Sequence, residues 1–510
     1  MISDRLSDNP DPKWWWILAL CGLGQLMVVL DLTVVNIALP KAQIALHFSN
    51  DDRQWIITAY ALAFGGLLLL GGRLSDRIGR KRTFMIGMAG FALASAVGGA
   101  AQNFLMLAGA RAVQGVFAAL LSPATLSLLT TTFPRPPERG KAFGIFSAIA
   151  GSGSAVGLLL GGALTTYLSW RWCLYVNDII AVVGLIGAAV LLERTVSDRR
   201  VYIDDPGILF AIAGLVSLVF GFSEAALDGW GAVTCVAPLA GAVVLLIGFV
   251  LIERRVAHPI LPFGVLLDRN RGASYLTILL LAIGMFGVFL FLVYYLEEIA
   301  RYSAVRTGLA FLPLTVCIVA GSVLTNTRLL PRFGPKPLVA AASLLGVVGM
   351  LYLAQLTLTT SYWGGILPAE LVFGVALGAL FGVCFNMATA GTGPETAGVA
   401  SALVTTGQQV GGSIGTSLLN TIATSSAATY LAAHASAAYL ARHASTIMAT
   451  HVWRVAQVHS YDLAFYVAAG FIFLAGLGAA IVYPARRRPA PVAMQVIADA
   501  RANARQPTQR

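Results

Sequence analysis

Long uncharged stretches follow one another along almost the whole chain, and short segments between them carry most of the charged residues. A helix that crosses the hydrocarbon core of a bilayer needs about 20 mostly apolar residues. By this criterion the pattern predicts 14 membrane-spanning helices, near residues 14–39, 54–72, 83–101, 104–130, 142–165, 173–192, 206–225, 232–252, 272–296, 307–327, 337–357, 363–387, 399–424 and 462–484. The first stretch is too long for a secretory signal peptide and lacks the small-residue cleavage site of one.

Basic residues are concentrated in alternate connecting segments. If the N-terminus is cytoplasmic, 26 of the 34 lysines and arginines lie in cytoplasmic segments, six of them in the tail that begins at Arg486. This asymmetry follows the positive-inside rule for membrane proteins. The sequence therefore predicts a multi-pass protein of the cell (inner) membrane with both termini in the cytoplasm.

The composition excludes a set of water-soluble domains. Only 11% of the residues are charged and 57% are hydrophobic, with a mean hydropathy of +0.78, whereas soluble domains are roughly 25% charged. We expect the net charge of +11 to face anionic lipid headgroups rather than nucleic acid. The five cysteines stand singly in apolar stretches, which supports neither a disulfide framework nor a thiolate metal site.

Two connecting segments resemble each other. Residues 72–81 and 327–336 share Arg, Leu, Arg, Gly and Lys at the same spacing, 255 positions apart. The first copy follows the second predicted helix and the other follows the tenth, so two extra helices separate two six-helix bundles. Internal repeats that meet at a central site are typical of secondary transporters, although a short basic loop can also match by chance. The predicted domains are an N-terminal bundle (1–200), a two-helix insert (201–255), a C-terminal bundle (256–485) and a cytoplasmic tail (486–510).

One acidic residue, Asp31, lies within the first predicted helix. A carboxyl group inside an apolar helix usually faces a bundle interior or a cavity, because an unpaired charge there is costly. At a rise of 1.5 Å per residue, Asp31 lies roughly 12 Å from the outer end of its helix and Arg111 lies roughly 10 Å from the outer end of the fourth. The similar depth predicts an Asp31–Arg111 pair. It is either a fixed ion pair in helix packing or a site that binds and releases a proton.

Four further polar residues are candidates for lining a substrate cavity. They are Gln25, Gln114, Asp178 and Glu370. The two glutamines are also compatible with simple hydrogen bonds between helices. Glu370 could bind a cationic substrate or a second proton. For both acids the alternative is a position close enough to the outer surface to be solvated.

The cytoplasmic loop after the second helix contains a possible gate, formed by Gly72, Asp76, Arg77, Gly79 and Arg80. The Asp76 carboxylate would accept hydrogen bonds from helix N-termini, or pair with arginines, when the cytoplasmic side is shut. The alternative is that these charges only set the topology. The second copy of the repeat has a proline at the matching position, so the gate is expected to be asymmetric.

The fifth predicted helix carries glycines at four-residue spacing. Gly153, Gly157 and Gly161, with Gly162 beside the last, form one face on which another helix backbone can approach closely. We interpret them as a helix-packing motif.

Five motifs connect the sequence to a known family. They are Gly72-x-Leu74-x-Asp76-Arg77-x-Gly79-Arg80-Lys81, Leu30-Asp31-Leu32-Thr33-Val34-Val35-Asn36-Ile37-Ala38-Leu39-Pro40, Arg111-x-x-Gln114-Gly115, Ser169-Trp170-Arg171-Trp172 and Gly308-Leu309-x-x-Leu312-Pro313. In these motifs the chain resembles the major facilitator superfamily, in its branch of 14-helix drug/proton antiporters, over nearly its whole length. The glycines of the fifth helix also resemble the antiporter motif of that branch, but Leu158 replaces its proline. Asp178 stands where the branch usually has an apolar residue.

The resemblance implies an all-α integral membrane protein with the major facilitator fold. The implied function is a proton-coupled exporter (antiporter) of amphipathic drugs or toxic compounds, working by alternating access and conferring antibiotic resistance, with Asp31 and Arg111 in proton coupling. The alternative is an exporter or flippase of lipids or lipid-like metabolites. The expected partners are a small-molecule or lipid substrate, protons and the bilayer, and a monomer is expected to be functional.

Other functional classes lack their motifs. An ATP-driven pump would need a GxxxxGK[ST] loop, which is absent from the sequence. A zinc enzyme would need ligands at HExxH-like spacing, yet the predicted helices contain no histidine, and the histidines of the outer segment 425–461 do not have zinc-ligand spacing. No enzyme activity, metal or cofactor is therefore predicted.

Overall fold

The computed structural model describes residues 12–133, 135–193, 205–256, 261, 263–392, 396–434 and 446–484. The predicted cytoplasmic tail, 486–510, lies outside the described residues. Within these ranges every regular secondary-structure element is a helix. This confirms the predicted all-α class.

The helices are numbered along the chain. They are α1 (Pro12–Leu46), α2 (Asn50–Ile78), α3 (Arg80–Gly99), α4 (Phe104–Thr132), α5 (Pro136–Tyr167), α6 (Trp172–Leu191), α7 (Asp205–Leu227), α8 (Val233–Glu253), α9 (Phe263–Leu266), α10 (Arg269–Tyr294), α11 (Ala304–Ala310), α12 (Leu312–Leu324), α13 (Leu330–Phe333), α14 (Pro335–Leu353), α15 (Leu367–Ala388), α16 (Ala397–His434) and α17 (Thr446–Val482). Three short π-helical segments adjoin them, at Tyr295–Ile299, Thr325–Leu329 and Tyr362–Ile366.

These helices account for the predicted membrane crossings. Eleven helical stretches of the described residues are long and apolar enough to span a membrane by length and composition. Three more long helices, α3, α5 and α16, stand at the third, fifth and thirteenth predicted crossings. Each of the 14 predicted crossings therefore coincides with a helical stretch of the described chain.

The helices pack as two bundles with an insert alongside. In the first bundle α1 packs on α4, α5 and α6, and α4 also contacts α2 and α3. In the second, α10 packs on α15, α16 and α17, while α15 contacts α12 and α14. The bundles meet where α2 packs on α16 and α5 packs on α12. Helices α7 and α8 pack on each other, and α7 also contacts α2 and α16, one helix from each bundle. The residue limits given above for the domains remain predictions.

The two copies of the repeat form the same backbone turn. Gly79 lies between α2 and α3 with φ 90°, and Gly334 lies between α13 and α14 with φ 79°. Glycine adopts this left-handed conformation without the steric cost that a Cβ atom imposes. The positive φ therefore explains why both copies of the repeat have a glycine at this position.

Several helices extend beyond the apolar windows that predicted them. Helix α1 continues through Pro40 to Leu46 instead of ending at residue 39. Proline removes only one backbone donor, and membrane helices tolerate this where neighbouring groups satisfy the freed carbonyl. Helix α16 reaches His434 and α17 begins at Thr446, so both enter the predicted outer segment. Hydropathy marks the apolar core of a crossing and not the end of its helix.

Candidate functional site

A buried cluster of polar side chains lies inside the N-terminal bundle. Its members come from four helices, and none has more than 2% of its surface exposed. They are Asp31 of α1, Ser95 of α3, Arg111 and Gln114 of α4, and Asn177 of α6. Polar groups so far from water have to satisfy one another.

Hydrogen bonds connect all five members. Arg111 Nη1 forms an ion pair with Asp31 Oδ2 and donates to Gln114 Oε1 at 2.8 Å. Asp31 Oδ1 accepts from Asn177 Nδ2 at 2.8 Å and from Gln114 Nε2 at 3.2 Å. Ser95 Oγ accepts from the same two amides, at 3.4 Å and 2.5 Å respectively. Both oxygens of the Asp31 carboxylate are therefore occupied by donors.

An aromatic ring covers the arginine. Arg111 Cζ lies 4.4 Å from the centroid of the Tyr60 ring on α2. A cation over an aromatic face gains electrostatic stabilisation, and this gain increases when water is excluded. The cluster thus contains one negative and one positive charge, each held by several partners.

The glycines of α5 lie against the segment of α1 that carries Asp31. A Cβ atom built on Gly157 would come within 3.2 Å of the Leu30 carbonyl oxygen. Gly153 and Gly161 make similarly close approaches to α1, and Gly162 is also buried. The small residues let α5 contact the α1 backbone directly on the turns around Asp31.

The structure brings together three of the residues singled out in the sequence, Asp31, Arg111 and Gln114. Gln25 is half-buried nearly two turns before Asp31 on α1, and among the described residues it takes no part in this hydrogen-bond network. Asp178 is also half-buried and forms no hydrogen bond or ion pair with another described residue.

The sequence analysis missed three members of the site: Asn177, Ser95 and Tyr60. Asn177 occupies the position in the network that Asp178, its neighbour, does not reach. An amide within the apolar α6 was the available signal, since polar side chains inside membranes bind neighbouring helices. Ser95 and Tyr60 carried no comparable signal.

Glu370 lies in the other bundle, on α15, with 1% of its surface exposed. Its Oε2 atom is 3.2 Å from Tyr362 Oη, and its Oε1 atom has no hydrogen-bond partner among the described residues. It is buried rather than solvated, so the surface alternative considered for this acid is wrong.

The loop after α2 forms a contact between the bundles. The backbone N–H of Gly398, in the first turn of α16, donates to Asp76 Oδ1 at 3.1 Å. A Cβ atom on Gly72 would lie 2.7 Å from the Gly398 carbonyl oxygen, so the two backbones nearly touch. A carboxylate at a helix N-terminus is stabilised by the free N–H groups and the helix dipole.

One basic residue of the same loop contacts its own bundle. Arg80 Nε donates to Ser127 Oγ of α4 at 2.8 Å, which is a contact within the N-terminal bundle. Arg77 is exposed. Of the five residues predicted to form the gate, Asp76 accepts a hydrogen bond from α16, and Gly72 approaches the α16 backbone closely.

A second contact joins the bundles at the same end of the molecule. Arg139, in the first turn of α5, donates from Nη2 to Thr389 Oγ1 at 2.8 Å and to the Asn386 carbonyl oxygen at 3.4 Å. These acceptors lie at the C-terminus of α15, where cations are favoured by the helix dipole. Arg139 is one of the 26 basic residues that the sequence analysis counted in cytoplasmic segments.

A Gly-x-Ser-x-Gly pattern at 411–415 has the spacing of a hydrolase nucleophile motif. That motif acts at a sharp turn between a strand and a helix, whereas these residues lie within the continuous helix α16. A Cβ atom on Gly415 would lie 2.8 Å from Ile283 Cα of α10. The glycines therefore serve close helix packing.

An open groove of about 740 Å³ lies beside the second bundle, between α16, α17 and the α7–α8 connection. It is lined mainly by apolar atoms, with Trp230 at one side and Tyr430 and His459 at another. None of the clustered polar residues lines it. Among the described residues no group of three or more His, Cys, Asp or Glu side chains could hold a metal ion.

Known proteins resemble this chain over most of its length. The family profile described as Major Facilitator Superfamily matches residues 21–416. The puromycin resistance protein pur8 of Streptomyces alboniger is 47% identical over 491 residues, which cover 96% of this chain and 95% of that protein. The cephamycin export protein CmcT of Amycolatopsis lactamdurans is 36% identical over 423 residues, 82% of this chain and 87% of that protein. The crystal structure of the human organic anion transporter MFSD10 aligns with a TM-score of 0.59 at 15% identity, covering 92% of this chain and 100% of that one.

Proposed function

Because the chain belongs to the major facilitator superfamily, a family of membrane transporters and not of enzymes, we propose that it is a proton-coupled antiporter that exports amphipathic antibiotics. It would act as a monomer in the cell membrane, with both termini in the cytoplasm. Proton entry down its gradient would drive the substrate outward.

The buried Asp31–Arg111 cluster is the observation that carries the proton-coupling proposal. An ionisable residue inside a membrane helix usually marks a substrate or proton pathway. Protonation of Asp31 would remove the negative charge that Arg111 now faces, and Gln114 and Asn177 would lose an ionised acceptor. Losing one partner of a buried pair costs about 3–5 kcal/mol. A change of that size can alter the balance between two packings of the bundles.

The contacts at the predicted cytoplasmic end support alternating access. Asp76 with Gly398, and Arg139 with Thr389, join the bundles there. In our proposal these contacts close the inner side and break when the substrate enters from the cytoplasm. Gln25 and Asp178 remain candidates for the wall of the pathway.

The names of the relatives support the substrate class. One is a puromycin resistance protein and another a cephamycin export protein. The higher identity to the former makes puromycin, an amphipathic amine, the first compound to test. Ethidium is the second, because it is a fluorescent amphipathic cation.

Transport by cells that express the protein tests the proposal. We expect efflux of puromycin or ethidium that stops when an uncoupler collapses the proton gradient. Asp31→Asn should abolish this efflux while the protein remains in the membrane at normal abundance. Glu298→Gln is the matched control, since it neutralises an exposed acid at the outer end of the α10 segment, and its efflux should stay at the wild-type level.

Two results would reject the proposal. Undiminished efflux by Asp31→Asn would show that this carboxyl does not couple proton and drug movement. Transfer of labelled lipid between the leaflets of proteoliposomes, with no drug transport, would favour a lipid exporter instead.

A further inference from the structure

A second buried carboxyl group, that of Glu370, has a hydrogen-bond geometry unlike that of Asp31. Tyr362 Oη lies 2.8 Å from the Ala310 carbonyl oxygen and 3.2 Å from Glu370 Oε2. A phenol has one hydrogen to donate, and a carbonyl oxygen can only accept. The shorter contact therefore uses the hydrogen of Tyr362.

The remaining contact then needs a hydrogen from the other side. If Tyr362 donates to Ala310, its oxygen can only accept from Glu370, so a hydrogen bond at the 3.2 Å contact requires a protonated carboxyl group. The other carboxyl oxygen, Oε1, is buried and has no partner among the described residues. An ionised carboxylate would leave that oxygen charged and unsatisfied, which is costly away from water. The geometry is that of a neutral acid.

The surroundings of Glu370 provide no countercharge. Within the described part of the chain it forms no ion pair, in contrast to Asp31. The titratable groups that face it are Cys317 of α12 and Tyr362 itself, with Tyr302 beside Tyr362. From α14, Tyr352 approaches the same π-helical segment by donating to the Gly364 carbonyl oxygen at 3.0 Å.

The other elements packed on α15 do not change this. The π-helical segment that carries Arg328 contacts the far end of α15, where Asn386 Nδ2 donates to Asn326 Oδ1 at 3.3 Å. Helix α16 has no ionisable residue between Ala397 and Tyr430. Helix α5 has no ionisable residue between Lys141 and Tyr167. Helix α10 has one between Arg271 and Tyr294, namely Tyr275, which donates to the Ala388 carbonyl oxygen at the far end of α15.

We propose that Glu370 is a second proton-carrying residue and that its proton determines which acceptor Tyr362 serves. When Glu370 releases its proton to water, the carboxylate becomes a stronger acceptor than a neutral carbonyl. The O–H of Tyr362 then turns to Glu370 Oε2, and the Ala310 carbonyl loses its donor. Reprotonation restores the present arrangement, so each cycle binds and releases one proton.

The position of Ala310 links this exchange to the contact between the bundles. Ala310 is the last residue of α11, and α11 packs on α5 of the N-terminal bundle. A Cβ atom on Gly308 would lie 2.7 Å from Leu159 Cγ, which shows how closely the two helices approach. Loss of the Tyr362–Ala310 hydrogen bond releases α11 at the predicted outer end. This proposal rests on the proposed proton-driven export.

Infrared difference spectroscopy of the purified full-length protein tests the protonation directly. We expect a carbonyl band of a protonated carboxylic acid that disappears as the pH rises. Glu370→Gln should remove this band, and Asp31→Asn should leave it in place. Tyr362→Phe keeps the ring but removes the acceptor oxygen, so the band should move to higher frequency. Glu298→Gln should leave the spectrum unchanged.

Distance measurements test the coupling to α11. Spin labels at Tyr167→Cys and Val305→Cys, both exposed positions on α5 and α11, would be placed in a chain whose five native cysteines are replaced. The wild-type distance should increase at high pH. Glu370→Gln, which imitates the protonated acid, should hold the short distance at every pH. Tyr362→Phe, which lacks the hydroxyl, should not respond to pH.

The outcomes separate this proposal from the proposed function. A spectrum of Glu370→Gln identical to that of the wild type, or a band that never titrates, would overturn the role of Glu370. A pH-dependent distance that persists in both variants would also overturn it. In each case the efflux test of Asp31→Asn is unaffected, so failure of one idea does not imply failure of the other.

Discussion

The contact between Asp76 and α16 leads to a quantitative prediction for the substitution Asp76→Asn. The carboxylate accepts the Gly398 N–H at 3.1 Å and is only 9% exposed. Asparagine keeps an acceptor oxygen but loses the charge that interacts with the helix N-terminus. An anion in a partly buried site of this kind contributes up to about 2 kcal/mol. We therefore expect the contact to weaken by about 1–2 kcal/mol, which corresponds to roughly a 5- to 30-fold larger open fraction.

Cysteine labelling at Val399 can measure this fraction. Val399 follows Gly398, is 1% exposed, and packs with Leu69 of α2 where the bundles meet. In a chain without the five native cysteines, Val399→Cys should react with a thiol reagent only when α2 and α16 separate. Asp76→Asn should accelerate the labelling by the factor given above.

Asp268→Asn is the matched control for this experiment. Asp268 Oδ1 caps α10 by accepting the N–H groups of Asn270 and Arg271 at 3.1 and 3.0 Å. The chemical change is the same and lies at the same predicted end of the molecule, but this cap is within one bundle. Unchanged labelling in Asp76→Asn, or equal acceleration in Asp268→Asn, would refute the assignment of Asp76 to a contact that closes the pathway.

Two further substitutions test the buried cluster and its packing. Asn177→Leu removes the amide that donates to Asp31 Oδ1 at 2.8 Å. It should lower the free energy of unfolding by about 1–3 kcal/mol, which is measured as a lower melting temperature in detergent. Asp178→Asn, at the next residue, should have little effect on the melting temperature. Gly157→Val would place side-chain atoms against Thr33 and the Leu30 carbonyl, and overpacking of this kind costs about 1–3 kcal/mol. It should reduce both thermal stability and efflux, whereas Gly157→Ala should impair them less, and equal effects would contradict the close packing.

The residues that sequence analysis placed correctly are those with a strong one-dimensional signal. Charges are rare within the predicted crossings, so Asp31 and Arg111 stood out, and their similar depth predicted the pair that the structure contains. Gln114 follows Arg111 by three residues and therefore shares its helix face. Gly79 and Gly334 were equally visible in the sequence, because they occupy the same position in the two copies of the repeat.

The sequence analysis missed residues whose roles depend on the rotation of a helix about its axis, or on partners that are far away in the sequence. Successive residues of a helix point about 100° apart, so the choice between Asn177 and Asp178 needs the orientation of α6, which the hydropathy pattern does not give. Arg139 looked like one more basic residue of a cytoplasmic loop. Its acceptors, Asn386 and Thr389, lie about 250 positions away, and neither stood out as a partner in the sequence.

In both contacts at the predicted cytoplasmic end, a charged side chain of one bundle meets the end of a helix of the other. Asp76 places a negative group at the N-terminus of α16, and Arg139 places a positive group at the C-terminus of α15. Each charge thus faces the end of a helix dipole that favours it. Both charges belong to the N-terminal bundle, whereas the C-terminal bundle supplies only backbone groups and one hydroxyl. In the second copy of the repeat, Pro331 stands at the position of Asp76, so the second half has no carboxylate there that could bind a helix N-terminus. The repeated turn at Gly79 and Gly334 keeps the backbone alike in both halves, while the charges of these two contacts both come from the N-terminal bundle.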